Sequence, residues 1–319
     1  MERKKPYFLL YAHNQVVEGQ KRAAIYDLKL ARVFYIPKVL VGILQEMRTS
    51  PLSTIIATYA ADQPQALLQY IDFFLEHDLG FYVDDPLRYP TLPLTYHYPG
   101  LLQNAIVLSD LQAYDLGNVL KQLPPEGCRF LSLFIELKQV QDLGKIKQAL
   151  DQLKDTVIST IQLFMKHHEA LSRGWLKTLF VENKKLAKIT VWGAAETGAT
   201  IDGPIEYSAL GWEALVAPDS RQLILNIPFF SEAIRFHPYF HQKVVVDWAG
   251  YIKNGVSERQ HFGHIECNRL GDVIASPAFQ ALWKRNADQL FEWQEDELRY
   301  AYFTNCTPAA IPSRSAILL

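Results

Sequence analysis

The chain has 319 residues, 49% of them hydrophobic and 21% charged, and its 32 Lys and Arg against 34 Asp and Glu leave a net charge of −2. That composition excludes an intrinsically disordered chain and allows two or three separate cores. The charge balance gives no general pull toward nucleic acid or an anionic membrane, and no apolar run reaches the roughly 18 residues of a membrane span.

The start, "MERKKPYFLLYAHNQ", carries an apolar run too short for a secretory signal, with no small-residue cleavage site after it. A mature cytoplasmic protein is expected. The cysteines are Cys128, Cys267 and Cys306. An odd count argues against a disulfide framework. No two lie within four residues, so three closely spaced thiolates for an iron–sulfur cluster are absent.

Residues 1–88 read as one unit. "PYFLLYAHN", "QVVEG" and "RAAIYDLK" predict short strands, with a turn at "AHNQ", and "GFYVDD" a last one. "IPKVLVGILQEM" has the apolar spacing of a helix, and Ser50 and Pro51 open a second helix over "PLSTIIATYA". The third helix, "QPQALLQYIDFFLEHD", puts Leu67, Ile71 and Phe74 on one stripe and stops at Gly80. Strands around a three-helix cluster predict a winged-helix-like unit. The third helix has no Lys or Arg between Pro64 and Gly80 but carries Asp72, Glu76 and Asp78, so it would repel phosphates and no nucleic-acid partner is expected. Capture of an extended peptide by strand addition is the alternative. The edge is expected at Ala24, Ile25, Tyr26, Asp27 and Leu28, with Leu67, Tyr70, Ile71 and Phe74 supplying apolar pockets.

Residues 89–235 alternate strand and helix. "NAIVLSD", "CRFLSLFIEL", "TVISTIQLFM", "LAKITVWGAA" and "RQLILNIPFF" predict strands, separated by helical segments such as "LGNVLKQL", "DLGKIKQALDQL" and "EALSRGWLKTLFVE". Near-continuous apolar strands predict an α/β fold with a parallel sheet curving into a partial barrel. Active sites in such folds lie at the carboxyl ends of the strands. The polar residues there are Ser109, Asp110, Glu136, His167, His168 and Glu196. "GAAETGATIDG" has glycines but no lysine and makes a poor phosphate loop.

Residues 236–319 open with a strand, a tight turn at Ala249–Gly250 and a second strand over "HQKVVVDWAGYIKNG", followed by "HFGHIE" and a helix broken at Pro277. In order, "KVVVDWAGYIKN", "HFGHI", "LGDVI", "FQALWKRNADQL" and "ELRY" resemble the SPASM domain of radical-SAM peptide maturases. "FYVDDPLRYPTLPLTYHYPGLLQNAIVLSD" resembles the junction between first domain and barrel in the SPASM-type maturases of bacterial grasp-with-spasm systems, which act beside an ATP-grasp ligase. The first domain resembles the PqqD-like recognition element of that family.

The resemblance implies three parts: a PqqD-like leader-peptide-binding domain, a partial (β/α) barrel of radical-SAM type and a SPASM-like tail. The tail's cysteine pattern, C-x2-C-x5-C-x3-C, falls here on Trp293, Asp296, Tyr302 and Cys306, and the radical-SAM triad C-x3-C-x2-C occurs nowhere. Aromatic rings and one carboxylate cannot replace three thiolates on iron. The expectation is therefore a degenerate scaffold with no cofactor and no radical chemistry, its tail held by aromatic packing. The expected task is binding a precursor leader during biosynthesis of a ribosomally made, modified peptide, with an ATP-grasp-type ligase as partner. An alternative is non-radical peptide modification in the barrel pocket by Asp110, Glu136 and Glu196. A third is a zinc site on His237, His241 and His261, with His264 near, because His237 and His241 are spaced i, i+4.

Overall fold

The structure, a computed structural model, describes residues 6–194, 203–216, 223–290 and 293–303. It is a mixed α/β protein divided into two compact units. One holds residues 1–96, 221–236 and 286–319; the other holds 97–220 and 237–285. This division departs from the boundaries expected at 88/89 and 235/236. Chain order does not decide which apolar segment covers which sheet, and two distant segments bury themselves against the N-terminal strands.

In the first unit, strand β1 (Tyr7–Leu10) is followed by β2 (Asn14–Glu18), β3 (Ala23–Asp27) and β4 (Arg32–Ile36). β2, β3 and β4 form an antiparallel meander, with Val17 opposite Ala24 and Ile25 opposite Phe34. Helices α1 (Leu40–Glu46), α2 (Leu52–Tyr59) and α3 (Pro64–Glu76) follow, and β5 (Gly80–Val83) returns to pair with β1. Because strand side chains alternate, the meander has two faces. Ala23, Ile25 and Ile36 pack with Leu40, Ile55, Leu67, Ile71 and Phe74 of the helices. Val17, Ala24 and Tyr26 pack on Phe230, Leu298 and Ala301, brought from residues 223–236 and 293–303. Tyr26 is fully buried, stands edge-on to Phe230 at 5.5 Å and donates from its hydroxyl to the Glu297 carbonyl at 2.8 Å.

The second unit is built on a seven-stranded sheet. Its chain order runs β6 (Asn104–Ser109), α4 (Leu116–Gln122), β7 (Phe130–Ile135), α5 (Asp142–Asp151), β8 (Thr160–Lys166), α6 (Arg173–Glu182), β9 (Leu186–Trp192), β10 (Ile205–Ser208) and α7 (Trp212–Val216). The strands β11 (Lys243–Val246) and β12 (Ile252–Lys253) complete it. The order in space is β10-β9-β8-β7-β6-β11-β12, parallel throughout except for β12. Asp115 and Ser172 open α4 and α6 by accepting from the amides of Gly117 and Trp175. Gly250 makes the β11–β12 turn with φ of 88°, and a Cβ there would lie 2.6 Å from His264 Nε2, so the turn favours glycine.

Trp212 follows β10 and Trp248 follows β11, five strand spacings away, about 24 Å in a flat sheet. Their rings nevertheless meet at 5.7 Å. The segments that follow β10 and β11 therefore reach toward each other over the carboxyl end of the sheet.

Three element expectations are corrected. "RQLILNIPFF" is not a strand: Asn226 caps a helix, Ile227–Ala233, with Pro228 in its first turn. The fifth parallel strand of the middle region is β10 instead. And β11 is not the start of a separate tail, because Val244, Val245 and Val246 are wholly buried in the sheet, with β11 pairing β6.

Candidate functional site

The peptide-binding edge expected at Ala24–Leu28 is corrected by the pairing. β3 is the middle strand of the meander and is hydrogen-bonded on both sides, and its five residues are all buried. Leu28 donates its amide to the His13 carbonyl. No main-chain group there is left for an added strand. Leu67, Ile71 and Phe74 are likewise core residues, and only Tyr70 of that group is half-buried.

Among the described residues the outer strands of the meander, each paired on one side only, are β2 and β4, and β4 is the one whose side chains meet the rings of α3. It was hidden in the sequence between "RAAIYDLK" and the first helix. Its Phe34 points to the α3 side, where it meets Phe73 edge-on at 6.1 Å and His77 at 5.2 Å; Phe73 and His77 are 4.4 Å apart. Tyr70, Phe73 and Phe34 are half-buried, Tyr35 is exposed, and the Arg22 guanidinium lies 3.5 Å from the Tyr35 ring centroid. An edge strand beside an aromatic groove is thus present, one strand further along than expected.

The meander turn before β4 is fixed by Asp27. Its carboxylate accepts from the amides of Lys29 and Leu30 and from Arg32 Nε and Nη2 at 2.9 and 2.6 Å. Burial would raise its pKa, but these hydrogen bonds and the Arg32 charge outweigh that and hold it below the ordinary carboxylate value.

Three of the four positions matching the cysteine pattern come together. Trp293 is buried beside Ala287 and Leu290, its ring 6.0 Å from that of Tyr302, and the Tyr302 hydroxyl donates to Asp296 Oδ2 at 3.3 Å. Burial, then the Asp296 charge, pushes the Tyr302 hydroxyl far above its ordinary pKa. Cys306 lies outside the described residues. Cys128 is buried, and that burial pushes its thiol up to about 12.

The polar residues at the strand ends do not form one acid–base group. Ser109 and Asp110 accept amide hydrogens of their own loop, from Leu111, Gln112 and Ala113. His168 Nδ1 accepts from the Ala170 amide. Glu136 is held by Lys166 at 2.9 Å and Lys138 at 3.2 Å; desolvation opposes them, yet the two lysines keep its pKa below normal. Glu196 lies outside the described residues. The β8–β9 register sets Lys166 beside Trp192, and Glu136, one residue past β7, meets Lys166 to complete the row, next to a second row in which Phe134 and Phe164 stack at 4.1 Å.

The zinc reading is corrected. His237 and His241 are buried against Phe240 and Trp283, whereas His261 is exposed and His264 half-buried, both against the Tyr251 ring. Among the described residues no three His, Cys, Asp or Glu side chains come together as a metal-holding group. Burial, helped by the Lys243 charge, depresses His237 to about 4.

Among the described residues no helix is long and apolar enough to cross a membrane. No family model and no curated protein matches the chain. Two solved structures overlap it weakly: Streptococcus suis SuiB bound to S-adenosylmethionine, 9% identical with a TM-score of 0.25, covering 89% of this chain and 90% of that one, and Streptococcus suis SuiB, also 9% and 0.25, covering 85% and 89%. An overlap of that quality assigns neither fold nor chemistry.

Proposed function

We propose that this chain is a non-redox peptide-binding protein that takes the leader of a ribosomally made precursor as an added strand on β4, and that it serves a partner modifying enzyme of the ATP-grasp ligase type. The observation that carries the reading is the open side of β4. It leaves main-chain donors and acceptors for an extended peptide beside Phe34, Phe73 and Tyr70, which offer apolar pockets to every second peptide side chain. Main-chain bonds give affinity and the aromatic groove gives selectivity. The winged-helix-like and degenerate SPASM-like readings of the first and last regions belong to this proposal, as does the cytoplasm as its place of action. The missing cysteine triad supports a task of recognition over radical chemistry.

The test is isothermal titration of the full chain with synthetic leaders of short precursor peptides encoded beside it. Saturable binding that Phe73→Ala weakens about tenfold is expected from loss of a ring at a peptide-binding hot spot. No binding at high micromolar leader by folded protein overturns the reading.

A further inference from the structure

Parallel sheets are ordinarily covered on both faces. Here the face carrying Leu131, Leu133, Ile161, Leu163, Met165 and Ile189 is buried throughout, but on the opposite face Gln162, Lys166 and Lys188 stand exposed on β8 and β9. Charge on that face is not evenly paired. Lys188 meets Glu206 one strand over. At the carboxyl end of the sheet, however, one carboxylate serves two cations: Glu136 Oε1 lies 2.9 Å from Lys166 Nζ and 3.2 Å from Lys138 Nζ. An ammonium has three donor hydrogens, so this contact leaves each lysine two, and the trio carries one net positive charge.

Beside it in the same row, Lys166 Nζ sits 5.6 Å from the centre of the Trp192 ring. Trp192 is 5% exposed, and its indole N–H has no acceptor among the described residues although it is shut off from water. Buried donors are nearly always satisfied. Spare ammonium donors and an unanswered indole donor therefore stand on adjacent strands, at the end of a parallel sheet where ligands of α/β folds bind.

We infer that the row Glu136–Lys166–Trp192, with Lys138, is a binding site for an anionic group, a carboxylate or a phosphate, on a ligand lying across the open face of β8 and β9. The anion accepts from Lys166 and Lys138, and Glu136 holds the two ammonium groups in place for it. The site belongs to the other unit from β4, and its occupancy does not depend on the peptide reading.

Nitrogen-15 spectra of the full chain test this, with the Trp192 indole resonance assigned by Trp192→Phe. The probes are sodium succinate and inorganic phosphate at constant ionic strength, with neutral succinamide and potassium chloride as controls. A saturating shift of the Trp192 indole with succinate or phosphate, and with neither control, is expected; the tighter of the two names the group. Lys166→Gln, at an exposed side chain, should weaken it about tenfold, as loss of a charged hydrogen-bond donor does. Glu136→Gln should strengthen it, because the amide oxygen still accepts from the two lysines while the competing negative charge is gone. Absence of a saturating shift in the folded wild type, or titration of both variants as wild type, overturns the assignment.

Discussion

The three-stranded meander and the seven-stranded sheet are open in opposite senses. The three-stranded meander has both faces buried, one on helices α1–α3 and one on residues 223–234 and 298–301, and is open along a strand edge. The seven-stranded sheet has β6, β7, β8, β9 and β11 paired on both sides and one face buried, and is open on the other face around Gln162, Lys166 and Lys188. An open edge offers main-chain hydrogen bonds and suits any extended chain. An open face offers side chains, so its selectivity lies in charge and ring chemistry. The same polypeptide thus exposes main-chain hydrogen-bonding groups on one sheet and charged side chains on the other.

The comparison breaks first if the meander's second face is not a true core. Tyr26→Ala should cost about 3–5 kcal/mol in chemical denaturation, as truncation of a buried aromatic ring does, whereas an exposed face would show almost no loss. Tyr26→Phe, which removes only the hydroxyl bond to Glu297, should cost about 1 kcal/mol.

The second test is by pH, at two groups. His237 titrates near 4 in the folded chain and near 6.5 when unfolded. The unfolded chain therefore binds the proton first on acidification. Stability is complete above pH 6.5, falls as pH drops toward 4, and the loss amounts to roughly 3 kcal/mol. His237→Gln should flatten the denaturation midpoint across that window; an unchanged slope contradicts burial of the neutral ring. Asp27 has its folded pKa below the unfolded value. Its contribution is present above the unfolded carboxylate value and is lost as pH falls through the depressed one. Asp27→Asn should cost about 2–3 kcal/mol at pH 7, and the gap to wild type should close in acid.

At the small end, Lys166→Gln should change stability by less than about 0.5 kcal/mol, because its ion pair is solvent-exposed. A cost of several kcal/mol would make the open face a structural network and remove the contrast with the meander.

The parallel sheet was legible because its strands are long apolar runs, and even the open face shows in "TIQLFMK", where Gln162, Phe164 and Lys166 alternate with Ile161, Leu163 and Met165. The meander edge was missed although "RVFYI" is all β-branched or aromatic after Arg32. Ile36 precedes Pro37, and a residue before proline is biased to extended backbone, so the strand ends where a helix was read to begin. The helix Ile227–Ala233 was mistaken for a strand because "LILN" before it is a plain apolar run; the Asn226 cap and Pro228 were the contrary signal. Attachment of Phe230, Leu298 and Ala301 to β3 had no local signal, since it joins segments some 200 to 280 residues apart. β3 was taken for an edge because β4, its second partner, went unread. The gathering of Trp293, Asp296 and Tyr302 followed a spacing visible in the sequence.

Hydrogen exchange of the full chain, with and without a synthetic precursor leader, tests the central claim most directly. Strand addition predicts slowed exchange of amides in Arg32–Ile36 together with α3, and no change in Ala23–Asp27, which is already paired on both sides. Protection appearing in the parallel sheet while Arg32–Ile36 exchanges as before would contradict it.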